Sequence, residues 1–193
     1  MKKRLIVAAV VLALAIAMPA APGGALSAGA THRQERVPFC GITWGSGIKR
    51  GAPANSPESP LDDIRVGRHD CFDRMVFDLD GPAAGYRVQY VDEVHDVAAG
   101  NVIPLRRGTG ARLEIVLKLP AYDLGGNPTY DGVSPRRLPR VGLTDFDAFR
   151  VAKYGGSFEG RTIVALGVRA RLPFRVTKLG NRIVLDVAHR WSQ

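Results

Sequence analysis

Hydrophobic residues, with one threonine among them, occupy every second position in four stretches of the chain, and this alternation constrains the fold more than any other feature. The alternating positions are Met75, Phe77 and Leu79; Tyr86, Val88 and Tyr90; Leu113, Ile115, Leu117 and Leu119; and Thr162, Val164, Leu166 and Val168. A period of two places successive side chains on opposite faces of a β-strand, so each stretch predicts a strand with one buried face. Antiparallel sheets of this kind have one face on the core and one in water. The pattern therefore predicts a mostly β protein, a β-sandwich.

The C-terminal segment predicts a β-hairpin that turns at Gly180-Asn181, because Gly followed by Asn is typical of a two-residue type II′ loop. Such a loop fixes the register of the two strands. The register predicts three cross-strand pairs: Val176 with Leu185, Phe174 with Val187, and Arg175 with Asp186. The first two pairs are apolar and belong to the buried side, and the third is expected to be a structural ion pair on the outer side.

One short helix is expected at about residues 144–152. Thr144 and Asp147 have the Ser/Thr-x-x-acid spacing of a helix start, and Phe146 and Phe149 would then face inward. The sequence thus predicts a single small helix within an otherwise β domain.

The first 30 residues have the anatomy of a secretory signal peptide. Lys2, Lys3 and Arg4 precede 14 apolar residues from Leu5 to Met18, and Ala28-Gly29-Ala30 offers a cleavage site. A membrane-spanning helix needs ~20 apolar residues. No cysteine directly follows the apolar run, so no lipid anchor is expected. We predict an exported and released chain, and a buried N-terminal helix is the alternative.

Cys40 and Cys71 are the two cysteines of the chain, and export would bring them into an oxidising compartment. We therefore predict a disulfide, which would close a loop of about 30 residues and stabilise the fold by roughly 3–4 kcal/mol. It would tie an N-terminal strap, residues 31–60, to a β domain over residues 61–190. Residues 45–60 have the Gly, Pro and Ser content of a loop. Trp44 in this strap is expected to pack on the core, with sugar stacking as the alternative.

Motifs of catalysis and metal binding are absent from the sequence. There is no G-x-S-x-G, no H-E-x-x-H and no phosphate-cradling glycine loop, and the four histidines are scattered. Asp78 and Asp80 lie two positions apart and are expected to pair with Arg74 rather than bind a cation. The sequence predicts no enzyme, no cofactor and no metal; an unrecognised hydrolase would need a convergent cluster of titratable groups in a cleft.

Two strand sequences resemble those of a known module. Arg74-Met75-Val76-Phe77-Asp78-Leu79 lies near the start of the predicted domain, and Arg182-Ile183-Val184-Leu185-Asp186-Val187 closes it. This combination resembles the AMIN domain, a β-sandwich attached to bacterial cell-wall amidases and outer-membrane secretins. The segments 40–46, 155–160 and 166–176 resemble a divergent AMIN-like group of secreted bacterial proteins and lipoproteins. The resemblance covers residues 40–189, although the cysteine pair and the loop at 121–142 depart from the ordinary AMIN pattern.

The resemblance implies an exported non-catalytic module that binds peptidoglycan or another cell-envelope polymer. Loops as long as residues 121–142 are usually functional, and arginine forks suit carboxylates and phosphates. The candidate ligand-binding residues are accordingly Tyr122, Asp123, Tyr130, Arg169 and Arg171. The alternative is a protein-interaction subunit of an envelope complex that uses a sheet edge for strand addition. The expected location is secreted or in the cell envelope, and nucleic acid is not an expected partner.

Overall fold

The computed structural model describes residues 38–52, 59–105 and 108–191. The predicted signal peptide, residues 1–30, lies outside the described residues. The described part contains a 3-10 turn at Phe39–Gly41 and nine strands: β1 (Lys49–Gly51), β2 (Leu61–Arg68), β3 (Phe72–Leu79), β4 (Gly85–Val91), β5 (Ala111–Lys118), β6 (Phe149–Phe158), β7 (Arg161–Val168), β8 (Phe174–Leu179) and β9 (Arg182–Ala188). Among these residues no helix has the length and apolarity needed to cross a membrane.

The strands form two antiparallel sheets. The five-stranded sheet has the order β1-β4-β5-β7-β6, and the four-stranded sheet has the order β2-β3-β9-β8. The alternating hydrophobic residues of both sheets meet in one core, in which Phe77, Ile115 and Leu185 are fully buried. The predicted mostly β sandwich is confirmed.

A second, smaller cluster covers part of the outer face of the five-stranded sheet. Leu113, Ile115 and Leu117 of β5 point into the main core, whereas Val116 belongs to this second cluster. The connection between β4 and β5 lays Ile103 over that face. The two hydrophobic layers therefore bury the middle of the five-stranded sheet on both sides.

The hairpin of β8 and β9 turns at Gly180-Asn181, as predicted. Gly180 has a φ of 58°, the left-handed conformation that the first loop position of a type II′ turn requires. All three predicted cross-strand pairs occur in the register of β8 and β9. A two-residue turn signal was thus sufficient to place both strands.

The helix expected at about 144–152 does not form, and Phe149 instead begins strand β6. The backbone amides of Ala148 and Phe149 donate to the buried carboxylate of Asp73 on β3, at 2.6 and 2.9 Å. The Arg150 guanidinium binds the carbonyls of Phe146, Asp147 and Phe149. These backbone groups would serve the hydrogen bonds of a helix, so long-range contacts override the local helix signal.

The predicted disulfide is confirmed, and it joins Cys40 to Cys71, which lies just before β3. The segment after it is attached to both sheets. Gly45 forms an isolated β-bridge with Phe174, and β1 pairs with β4 at the edge of the five-stranded sheet. A short edge strand therefore lies within a segment whose composition indicated only a loop.

Candidate functional site

The two Arg-x-Val-x-Asp segments lie on β3 and β9, which pair antiparallel. Arg74 lies opposite Asp186, Val76 opposite Val184, and Asp78 opposite Arg182. Because arginine and aspartate are four positions apart in both segments, antiparallel pairing places each arginine against the other segment's carboxylate. The two segments are therefore a self-complementary strand pair.

Each carboxylate of this pair also binds a second arginine from a neighbouring strand. Asp186 accepts hydrogen bonds from Arg74 Nε at 2.7 Å, from Arg74 Nη2 at 2.9 Å and from Arg175 Nε at 2.8 Å. Arg65 of β2 and Arg182 of β9 bind Asp78, and these arginines, Arg65 above all, hold its pKa below the usual value. The expected pairing of Asp78 with Arg74 is wrong, because the strand register places Arg74 opposite Asp186.

Aromatic rings of the strap region pack beside these arginines. Trp44 is half-buried, its ring centre lies 6.0 Å from that of Phe72, and its indole N–H donates to the Phe39 carbonyl at 2.8 Å. The Arg175 guanidinium lies 5.6 Å from the ring centres of both Trp44 and Phe72. These contacts are those of a side chain that anchors the strap to the four-stranded sheet.

The three candidate residues of the 121–142 loop have different environments. The hydroxyl of Tyr122 accepts a hydrogen bond from the Gly160 amide at 3.1 Å. Asp123 is exposed, and hydrogen bonds from the side-chain amide of Asn127, and then from the backbone amides of Asn127 and Gly125, lower the pKa of its carboxylate. Tyr130 is buried against Tyr154, with 3% of its surface exposed. Tyr122 alone among the three presents a partly exposed ring.

The two candidate arginines lie at the opposite end of β7 from Tyr122. Arg169 follows the last residue of β7 and donates to the His189 carbonyl, and Arg171 stacks on Tyr90 at 4.9 Å. Gly160, which binds Tyr122, precedes the first residue of β7. The eight residues of β7 separate the groups by about 25 Å. The structure therefore does not assemble the five candidates into one site.

A groove of about 540 Å³ opens on the five-stranded sheet at the Tyr122 end. Four cationic side chains line it: Arg50, Arg87, Lys118 and Arg161. Arg50 and Arg87 lie directly opposite each other on β1 and β4, an arrangement of like charges that destabilises a sheet. Arg87 binds Glu114 at 3.0 Å, whereas the other three have no carboxylate partner in the part of the chain that is described. We call this surface the basic groove.

The basic groove was not found as a unit in the sequence. Arg87, Lys118 and Arg161 occupy positions whose side chains are predicted to point away from the core, but Arg50 lies in a segment with loop composition. They meet because β1, β4, β5 and β7 are neighbours in the sheet. This strand order arises from long-range pairing, which no local pattern reveals.

Asp73, Asp147 and His189 bring their ligand-type atoms within 4.8 Å of one another, a combination that metal sites also use. Asp73 is fully buried, accepts two backbone hydrogen bonds, and lies 2.9 Å from Nε2 of His189. Asp147 binds Arg68 at 3.1 Å. Both carboxylates already have protein partners. We therefore interpret the three residues as a structural link between β3, the end of β9 and the turn before β6.

The family comparison agrees with this strand pattern. The AMIN-like domain matches residues 59–189, which is more than half of the chain and includes both Arg-x-Val-x-Asp strands. No curated protein and no solved structure matches the chain. AMIN-like domains are generally non-catalytic binding modules of the cell envelope. The match over residues 59–189 shows that the chain belongs to the AMIN-like domain family.

Proposed function

We propose that this protein is an exported, non-catalytic module that binds peptidoglycan, or an anionic polymer attached to it, through the basic groove. The observation that supports this function is the excess of positive charge in the groove. Within the described residues, the four cations of the groove outnumber the two nearby carboxylates, Glu114 and Glu159. Arg50 and Arg87 repel each other, and Glu114 compensates only the charge of Arg87, so an anion bound beside Arg50 would stabilise the pair.

The chemistry of the groove suits an extended anionic polymer better than a small neutral ligand. Arginine presents a planar fork that binds carboxylate or phosphate groups, and lysine adds a compact charge. Peptidoglycan carries carboxylates on its stem peptides, and attached wall polymers carry phosphates. The open groove gives such a chain room to pass along the sheet. In this proposal the cationic side chains of the basic groove bind the carboxylate or phosphate groups of the polymer.

Tyr122 belongs to this proposed site. Its hydroxyl is bound to Gly160, and Gly160 itself lines the groove. The ring therefore lies at the rim, where it can pack on the sugar or peptide part of a polymer. Asp123, Tyr130, Arg169 and Arg171 are not included, because their contacts lie elsewhere in the domain.

The test is co-sedimentation of the protein with purified cell-wall sacculi over a series of salt concentrations. A variant with Arg50→Gln, Lys118→Gln and Arg161→Gln should bind at least about tenfold more weakly, since each substitution removes a charge-assisted contact. Arg112→Gln is the matched control: Arg112 lies on the same face of β5 as Lys118, about 20 Å away. The control should bind like the wild type.

The salt series separates specific binding from general attraction. At 1 M salt the screening length falls to about 3 Å, so binding that depends only on net charge disappears. We expect part of the wild-type binding to remain at this concentration. Equal sedimentation of the triple variant and the wild type would remove the basic groove from the proposal.

Strand addition by a protein partner is the second candidate function, and the exposed edge of β2 is the feature that favours it. The edge of β6 is covered, because the backbone amides of Val97 and Leu138 donate to it and the carbonyl of Arg136 accepts from it. Among the described residues, the outer edge of β2 forms backbone hydrogen bonds mainly at Leu61. Crosslinking that recovers one protein partner, together with no binding to sacculi, would favour this function over the first.

A further inference from the structure

A second pocket, of about 460 Å³, lies where the 121–148 connection meets the start of β6. Its walls combine apolar side chains, among them Leu143 and Phe146, with the hydroxyl-bearing Thr144. Two arginines also line it, Arg137 and Arg150, and neither has a carboxylate partner within residues 38–52, 59–105 and 108–191. We call this the β6 pocket.

The guanidinium of Arg150 is held in a fixed position by the backbone. Nη1 donates to the carbonyls of Phe146 and Phe149, both at 2.8 Å, and Nη2 donates to the carbonyl of Asp147 at 3.1 Å. Carbonyl groups are neutral, so these bonds orient the guanidinium without compensating its charge. Arg150 is therefore a half-buried, preorganised cation.

Three of the five N–H groups of Arg150 are used by these bonds, and the other two are on Nε and Nη2. The same two nitrogens form the carboxylate forks elsewhere in this protein. Arg65 binds both oxygens of Asp78 through Nε and Nη2, and Arg74 binds Asp186 in the same way. In Arg150 the Nε–H and one of the two Nη2 N–H groups have no acceptor among the described residues, while the other Nη2 N–H donates to Asp147.

We propose that the β6 pocket binds the free C-terminal carboxylate of a short peptide with small apolar side chains. The open fork of Arg150 receives the carboxylate, and Arg137, which is exposed at the mouth, adds a second positive charge. Leu143 and Phe146 contact the apolar side chains of the peptide. Thr144 offers a hydrogen-bonding group for its backbone.

This inference does not rest on the proposed function of the basic groove. Val151, at the β6 pocket, pairs with Gly167 near the end of β7, whereas the basic groove includes Arg161 at its start. The two sites are therefore about 20 Å apart along the strand. A soluble peptide probes the β6 pocket without any polymer.

The test is a titration of the isotope-labelled protein by NMR with acetyl-Ala-Ala, in its L,L and D,D forms, and with the corresponding C-terminal amides. The carboxylate peptides should shift the side-chain Nε–H signal of Arg150 and the backbone amides of residues 142–146. The amides should bind at least about tenfold more weakly, since they lack the charge-assisted fork. Tighter binding of the acid than of the amide in either stereochemical form supports the proposal.

Two variants complete the experiment. Arg137→Glu reverses a charge at the mouth, where the side chain makes no described hydrogen bond, and it should weaken binding of the carboxylate peptides at least about tenfold. The basic-groove triple variant should bind them like the wild type. Equal binding of acid and amide peptides, equal shifts with acetate alone, or unchanged affinity of Arg137→Glu would each overturn the proposal.

Discussion

The substitution Asp186→Asn tests whether the self-complementary strand pair holds the four-stranded sheet together. Asp186 is 1% exposed, and its two oxygens accept three hydrogen bonds from Arg74 and Arg175. Asparagine has nearly the same shape, but it is neutral and turns an NH2 group toward an arginine donor. Removing one partner from a buried ion pair costs about 3–5 kcal/mol. Because both arginines keep some contact with water, we expect a loss of about 3 kcal/mol.

The second copy of the motif provides the matched control. Asp78 occupies the equivalent position on β3 and also binds two arginines, but Arg65 and Arg182 are about half exposed, at 52% and 53%. Exposed ion pairs contribute about 0–1 kcal/mol. Asp78→Asn should therefore lower the free energy of unfolding by about 1 kcal/mol.

The free energy of unfolding is measured by urea denaturation, followed by far-ultraviolet circular dichroism. Unchanged m-values would show that the surface exposed on unfolding is the same in all three proteins. The free energy of unfolding should be highest for the wild type, lower for Asp78→Asn and lowest for Asp186→Asn. Equal losses for the two variants, or a larger loss for Asp78→Asn, would refute the argument that burial sets the strength of each pair.

Two further predictions concern the disulfide and the pH dependence of stability. The double variant Cys40→Ser, Cys71→Ser should have a free energy of unfolding lower by roughly 3–4 kcal/mol, because the disulfide closes a loop with a sequence separation of 31. A reductant should destabilise the wild type and leave the stability of the double variant unchanged. Because the pKa of Asp78 is lowered in the folded protein, the unfolded chain takes up a proton at a higher pH than the folded protein does. The ion pairs of Asp78 therefore contribute to the free energy of unfolding above about pH 4, and this contribution is lost as the pH falls further. The stability difference between the wild type and Asp78→Asn should therefore shrink in acid, and a difference that grows there would contradict this cause.

The strands of the sandwich were predictable because their signal is local. Alternation along β5 alone separates Leu113, Ile115 and Leu117, which enter the main core, from their neighbours on the outer face of the sheet. The Gly180-Asn181 turn likewise set the register of β8 and β9 without knowledge of the other strands. Both features depend on residues close together in sequence, where steric preference and pairing geometry act directly.

The failures arise where distant residues decide the local structure. The helix predicted from Thr144 does not form, because Asp73, more than 70 positions away, accepts hydrogen bonds from two backbone amides of this segment. The basic groove needs Arg50 beside Arg87, and only the pairing of β1 with β4 brings them together. The same limit explains why Tyr122 and Arg169 were expected to be neighbours although they lie at opposite ends of β7.

The central position of β9 determines when this domain can fold. Residues 182–188 lie between β3 and β8 and supply Ile183, Leu185 and Val187 to the core, yet they are the final strand of the domain. Until this strand is available, β2 and β3 remain separated from β8, and Arg74 and Asp78 have no partners on β9. The growing chain therefore reaches its native state late, after nearly all of the domain has been synthesised. The export that we propose requires an unfolded chain, and the late pairing of β9 favours that state until the last strand is available.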